Sequence, residues 1–197
     1  MKKKVLVIVA HPDDETLWMG GLLLRNKNKW DTTIICMTRR SDKDREPKFR
    51  KVCKILGVKG FIFNLNDTTL NKPLNQRLIL NILKKYSNQK WDFIFTHNSN
   101  GEYGHQRHID VHKAIKEALK KNLIHSKKVF FFDYHKINNK YQGYCVYNSN
   151  ADKLIKLNSD ELFMKRKLAI EVYGYNRGRI GFEENSAGPI ESFSELK

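Results

Sequence analysis

Lys4-Val-Leu-Val-Ile-Val-Ala-His-Pro-Asp-Asp-Glu15 opens on an unbroken apolar run and ends abruptly on side chains that bind metals and move protons. The run from Val5 to Ala10 is short and rich in β-branched residues, which predicts a strand covered on both faces in a parallel sheet. Pro12 stops it, because it has no N–H for the ladder and its fixed φ suits the first position of a helix. Asp13, Asp14 and Glu15 then form a first helical turn that Thr16 to Leu24 continues. In open α/β sheets, ligands lie at the carboxyl ends of the strands, so His11 and the two aspartates stand where chemistry is expected. Acids in a first turn commonly do no more than satisfy free N–H groups. His11 beside them shifts the balance, since imidazole and carboxylate at close spacing hold Zn²⁺ or non-haem iron.

Outward from that stretch, strands and helices alternate. Strand patterns recur at Trp30–Thr38, Phe61–Phe63, Trp91–Thr96 and Lys127–Tyr134. Helical periods run over Phe49–Leu56, stopped by Gly57, over Leu74–Tyr86 and from about His108 to Lys121. This order predicts an α/β fold, a mostly parallel sheet with helices on both faces and right-handed crossovers. Gly20-Gly21, inside the first helix, is expected to let helix and sheet approach closely. A sixth strand is expected over Gln142–Tyr147, at an edge, after a hairpin-like Asn138-Asn139. A last helix is expected within Lys153–Tyr173, ending near Gly174. The tail from Asn176 to Lys197 reads as loop and carries no role that local chemistry assigns.

At 197 residues and 23.2 kDa, with 40% hydrophobic and 29% charged residues, the chain suits a single domain spanning 1–197 and excludes a disordered one. Three widely separated cysteines without CxxC spacing exclude a disulfide framework and a thiolate zinc site. Met1 to Lys4 followed by apolar residues imitates a secretory leader, but the run is too short and lacks a small-residue cleavage site. No stretch reaches the length of a membrane span. A soluble, cytoplasmic protein is the expectation. The net charge of +16 raises polyanions as partners. The lysines are scattered over nearly every helical pattern, however, and no basic stripe interleaved with aromatics appears, so a nucleic-acid-binding domain with structural histidines is the rival reading.

A second chemical cluster follows the fourth strand, His97-Asn-Ser-Asn-Gly-Glu-Tyr-Gly-His-Gln-Arg-His-Ile-Asp-Val-His112, holding four of the seven histidines. His108 and His112 lie one turn apart on a helix, with His105 just before it. A catalytic zinc needs three protein ligands and one open position. His11, one of Asp13 or Asp14, and one of His105, His108 or His112 supply that count. The spare aspartate can act as general base, and a leftover histidine can stabilise an oxyanion or protonate a leaving amine. Metal-assisted hydrolysis of an amide or ester fits this set. Two histidines and one carboxylate also suit Fe(II), but the second acid favours hydrolysis. Arg39, Arg40 and Arg45, in the loop after the second strand, are placed to meet an anionic substrate, and Asp67 lies in the loop after the third.

These residues resemble the PIG-L or LmbE-like zinc-dependent de-N-acetylases. Ala10-His-Pro-Asp-Asp-Glu15 followed by Gly20-Gly21 is similar to their first signature, and Tyr103-Gly-His-Gln-Arg-His108 to their second. The likeness spans about the first two thirds of the chain. It implies a Rossmann-like fold with Zn²⁺, or alternatively Fe²⁺, held by His11, Asp14 and His108. It implies Asp13 as general base, His105 as electrostatic or acid partner, and Tyr103 as a donor near the carbonyl oxygen. Weaker likeness at Arg45 and Asp67 implies contact with the sugar. The implied reaction removes an acetyl group from the nitrogen of a GlcNAc-type amino sugar, with a zinc amidohydrolase of the same family acting on a different acyl group or acceptor as the second rival. The basic loop adds a phosphate, nucleotide or lipid-linked diphosphate to that expectation. Two departures stand out: Arg39-Arg40 follow Thr38 where Thr-x-Gly is usual, and Gln106-Arg107 occupy the middle of a motif that commonly reads His-Pro-Asp-His, with Asp110 the nearest acid after them.

Overall fold

The structure is a computed structural model and describes residues 1–69, 72–138, 143–175 and 186–197. The elements are, in chain order, β1 (Lys3–Val9), α1 (Asp14–Asn26), β2 (Trp30–Thr38), α2 (Arg45–Leu56), β3 (Lys59–Leu65), α3 (Gln76–Leu83), β4 (Lys90–Thr96), α4 (Gly101–Gly104), α5 (Gln106–Lys120), β5 (His125–Phe132), β6 (Tyr134–Asn138), β7 (Gly143–Tyr147), β8 (Lys153–Lys156), α6 (Ser159–Lys167) and β9 (Ile190–Glu195). Seven strands form one sheet in the order β3-β2-β1-β4-β5-β9-β8. The first five are parallel, and β9 runs antiparallel to both β5 and β8.

β1 lies between β2 and β4, with Val5 opposite Thr32 on one side and Phe93 on the other. Its alternation serves two cores rather than a core and solvent. Val5, Val7 and Val9 pack with α1 and α2, while Leu6, Ile8 and Ala10 pack with α3 and α5. The chain winds outward from β1 to β3, then crosses to β4, so the carboxyl ends of β1 and β4 flank the point where the winding reverses. That crevice is the usual ligand position in such sheets.

The expected first five strands and intervening helices are present. The fifth strand pattern breaks at Asp133 into β5 and β6, and β6 pairs with β7 in a separate two-stranded ribbon. The sixth expected strand is therefore an edge of this ribbon and lies outside the main sheet; Asn139 and Gln142 of that hairpin lie outside the described residues. For the C-terminal third, the last helix lies within Lys153–Tyr173 as expected, and one expectation, that of the tail, is overturned. Lys153–Lys156 is a strand, and the helix starts only at Ser159, where the Asn158 side chain accepts from Glu161 N and the Glu161 carboxylate accepts from Asn158 N. This reciprocal cap sets the boundary. A π-helical turn, Leu168–Val172, extends the helix to Tyr173, and Gly174 ends it with φ +82°. The expected loop-like tail contains β9, inserted between β5 and β8, with Phe193 in the core. Its described part begins at residue 186.

Gly21 serves a different approach from the one expected. A Cβ there would sit 2.4 Å from Leu157, so the close neighbour is the segment leading into α6 and not the sheet. α1 breaks locally at Met19 (φ −149°). Beyond the break, the N–H groups of Gly21 and Leu22 donate to the two oxygens of buried Glu191 on β9 at 2.8 Å each. Lys165 on α6, also buried, offsets that carboxylate at 2.9 Å. A charge buried so deeply persists only when paired and hydrogen-bonded.

Candidate active site

The turn between β1 and α1 is strained where it matters. Asp13 adopts φ +124°, and Arg39 and Glu102 are also non-glycine residues with positive φ; only Asn122 shares this property elsewhere among the described residues. Backbone strain of this kind collects at functional sites. The Asp13 carboxylate makes no capping bond to α1, which rejects the reading of this acid as a mere helix start. It turns instead to the Arg45 guanidinium, 3.4 Å away, and to the Tyr175 hydroxyl, and Arg45 lies over the Tyr175 ring at 4.7 Å. Glu15 fixes the turn from behind by accepting from Asp13 N and from the Tyr173 hydroxyl.

Asp14 points the opposite way, into the protein. Its oxygens accept from His11 N at 2.7 Å and from Trp18 Nε1 at 3.1 Å. Three candidate ligand atoms meet here. His11 Nδ1 is 3.2 Å from His108 Nε2 and 3.4 Å from an Asp14 oxygen, and His108 Nε2 is 3.3 Å from the other. For metal–ligand bonds near 2.05 Å, tetrahedral ligands stand about 3.4 Å apart. The far nitrogen of each ring faces a carboxylate: His11 Nε2 meets Asp67 Oδ1 at 3.0 Å, and His108 Nδ1 meets Glu102 Oε2 at 2.5 Å. With protons on those far nitrogens, the near pair presents two lone pairs to each other, an arrangement a cation relieves. The donor set therefore fits a divalent metal such as zinc.

Two alternative triads share some of these atoms, His11 with His105 and His108, and Asp14 with His97 and His108. His97 is already occupied: its Nε2 lies 3.0 Å from Ala10 N and 3.2 Å from an Asp14 oxygen, and its Nδ1 donates to Glu102 at 2.9 Å. His112 is turned away, onto the His97 carbonyl. Glu102 thus holds two stacked imidazoles at once, and its exposure is 1%. Burial alone would raise its carboxyl, but the fields of His97 and His108 bring it to about 2. For Asp14 the same contest ends well below the usual carboxylate range, because His108 and His97 outweigh burial. Asp13 goes up instead, through burial and the neighbouring Asp14 charge, against the pull of His11 and Arg45. Adjacent carboxylates pushed in opposite directions suit a ligand and a base.

His105 caps α5 by accepting from Arg107 N at its Nδ1, leaving Nε2 as the proton-bearing nitrogen. Burial and the nearby His108 and His11 rings lower it to about 3, so the ring is a neutral donor at ordinary pH. Tyr103 packs edge-on to both His105 and His108. A cavity of about 170 Å³ brings together His11, Asp13, Asp14, Tyr103, His105, Arg45 and Tyr175. Asp67, expected at the sugar, has one oxygen on His11 and the other on Arg39, which also reaches Asp42. Beyond Arg39 opens a larger cavity of about 520 Å³ lined by Asp42, Asn64, Asn66 and Thr68.

The two unusual residues of the second motif work structurally. Arg107, buried, bridges Asp110 to the carbonyls of Lys72 and Thr69, and Gln106 binds the other Asp110 oxygen. They pin the loop that carries Asp67 against α5. Asp110 therefore does not serve the histidines; Glu102 does. Sequence reading passed over Glu102, Glu15, Tyr173 and Tyr175. Glu102 carried a signal, as an acid between two glycines just ahead of His105. The tyrosines carried none, since 158 and 162 positions separate them from the acids they touch.

Comparison with known proteins matches residues 6–119 to the PIG-L family, described as GlcNAc-PI de-N-acetylase. An uncharacterized protein, L374, of Acanthamoeba polyphaga mimivirus is 28% identical over 195 residues, covering 86% of this chain and 81% of that one. The N,N'-diacetylchitobiose deacetylase of Pyrococcus horikoshii has a similar fold, with TM-score 0.69, 18% identity, and coverage of 98% of this chain and 84% of the other. So has GalB, the 4-carboxy-2-hydroxymuconate hydratase of Pseudomonas putida KT2440, with TM-score 0.65, 14% identity, and coverage of 100% and 97%.

Proposed function

The chain belongs to the PIG-L family, and from that premise we propose that it is a zinc-dependent hydrolase that removes the acetyl group from the nitrogen of a GlcNAc-type amino sugar. The observation that carries this reading is the convergence of His11 Nδ1 and His108 Nε2, 3.2 Å apart, on the Asp14 carboxylate, each nitrogen 3.3–3.4 Å from one of its two oxygens, with a carboxylate behind each ring. His11, Asp14 and His108 would hold the ion, with Fe²⁺ as the alternative. When bound, the metal supplies Lewis acidity, lowering the pKa of a water molecule and polarising the amide carbonyl.

The remaining steps belong to side chains. Asp13, raised by burial, takes the proton of the attacking water as general base, and Arg45 and Tyr175 hold its carboxylate in one orientation. Neutral His105 donates a hydrogen bond through Nε2 to the oxyanion, and the proton that Asp13 took from the water passes to the departing amine. Tyr103 adds a donor at the carbonyl oxygen. Arg45 and Asp67 lie on the sugar side, and the cavity beyond Arg39 takes the rest of the substrate. Arg39 and Arg45 are each already paired with carboxylates, so support for an anionic substituent rests on Arg40, exposed in the same loop. A cytoplasmic setting is part of the proposal, supported by three buried free thiols, Cys36, Cys53 and Cys145. Among the described residues no helix is long and apolar enough to cross a membrane.

The test pairs elemental analysis with acetate release from N-acetylglucosamine, N-acetylglucosaminyl phosphate and diacetylchitobiose. About one zinc per chain, lost in His11→Ala, together with acetate release from one of these compounds, is the expected result. A protein that takes up no metal after incubation with zinc sinks the reading.

A further inference from the structure

We infer that the outer face of the α3/α5 layer docks on an anionic phospholipid bilayer, a surface unrelated to the catalytic pocket and independent of the proposed reaction. The charge of +16 is unevenly arranged. On the α1/α2/α6 layer, four cations are answered by acids, Arg25 by Glu161, Lys48 by Asp44, Arg50 by Glu46 and Lys167 by Glu171, with Lys51 and Lys54 left over. On the other layer most cations are not. α3 and the turn that ends it turn Arg77, Lys84 and Lys85 outward, and α5 with its C-cap turns Lys113, Lys116, Lys120 and Lys121 outward. The single acid described among them is Glu117, paired with Lys121.

Apolar surface lies among these cations. One groove beside α5, about 540 Å³, has Leu80 and Leu123 between Arg77, Lys84 and Lys121. Another, about 480 Å³, has Leu119 and Leu196 between Lys113, Lys116 and Lys120. Leu78, next to Arg77 in α3, is 46% exposed. Lysines with apolar stems lying along leucines and ammonium heads outward match the boundary between headgroups and acyl chains, where leucine gains by insertion and each head meets a lipid phosphate. A nucleic acid would use the lysines but not the leucines. Strand binding also favours stacked aromatics and arginine, whereas Tyr86 is buried and Arg77 is the one arginine on this face.

Sedimentation of the full chain with vesicles tests this. Binding to phosphatidylcholine vesicles doped with phosphatidylserine should exceed binding to phosphatidylcholine alone by roughly a hundredfold and weaken with salt. The variant Lys84→Glu/Lys116→Glu/Lys120→Glu/Lys121→Glu should lose it. The matched variant Lys29→Glu/Lys51→Glu/Lys54→Glu/Lys167→Glu, which makes the same change in net charge on the opposite layer and its flanking loop, should keep it. Equal loss in both, no preference for the anionic vesicles, or displacement from them by stoichiometric single-stranded or duplex RNA would each overturn the inference. If the first variant misfolds by circular dichroism, the same four positions changed to Gln provide the reading.

Discussion

Behind His11 and His108 the charges are buried and interlocked, Glu102 and Asp14 each holding more than one histidine, whereas at the mouth of the pocket they are half-exposed. Glu102, Asp14, His97 and His108 have side-chain exposures of 0–2%. Arg39 and Arg45 stand at 42% and 26%. In the interior, any rearrangement leaves a desolvated charge without its partner, so a single arrangement survives. At the mouth, water and substrate hydroxyls can replace an ion pair at little cost. One pocket therefore joins an inflexible half, suited to holding an ion and aiming a base, to an adaptable half, suited to choosing a substrate.

The largest effect that would sharpen this contrast is expected from Asp14→Ala, which removes the shared carboxylate ligand. Metal content and turnover should both fall to background, measured by elemental analysis and acetate release. Asp13→Asn should leave metal content unchanged and lower kcat by about 10²–10⁴; identical metal content and activity in these two variants would undo the division of labour between the acids. Glu102→Gln is expected to weaken metal affinity by about 10–100-fold, read by competition with a chromophoric chelator.

The acid limb tests the same contrast through pH. Glu102 is held at about 2 in the fold against 4.5 free, so its stabilisation is complete above pH 4.5 and is lost as pH falls toward 2. Asp67, also near 2 but from 3.8, gives up its share over a narrower window. In metal-free protein, the stability gap between wild type and Glu102→Gln should close across pH 4.5 to 2, and that for Asp67→Asn only below 3.8. The smallest effect belongs to the mouth: Arg39→Gln should raise KM by less than about tenfold and shift unfolding by no more than ~1 kcal/mol. A metal loss there as deep as in Glu102→Gln would break the comparison.

Local sequence reveals residues of both halves, the ligands and base of the inflexible one and Arg39, Arg45 and Asp67 at the mouth, but not the Glu102 that locks the interior. His11, Asp13 and Asp14 are contiguous, and His105 and His108 share a helical turn, so strand-end logic and ligand chemistry reach them directly. The parallel core was legible for the same reason: each strand announces itself by its own run of apolar residues. The C-terminal third was not. β9 is written Ile-Glu-Ser-Phe-Ser-Glu, and its polar residues are buried only because Glu191 meets α1 and Lys165 while Ser192 meets the β6 region. Lys153–Lys156 is a strand because β9 is beside it. Long-range pairing decides these segments, and no window of sequence contains it. Tyr175 eluded local reading for the same cause, although it touches the proposed base.

Glu191 also sets an order of events in synthesis. The helix that follows His11 and the aspartates has its broken interior completed by a residue 169 positions later. A ribosome adding about 5–20 residues per second needs about 8–34 s to cover that distance. Throughout that interval the nascent chain lacks the carboxylate that receives the amides of Gly21 and Leu22; from residue 112 onward it holds both chemical motifs, and from residue 156 β8 waits without the strand it pairs with. Ribosome-bound intermediates short of β9 should therefore be cleaved by protease within α1, and become resistant there only after residue 195 has cleared the exit tunnel.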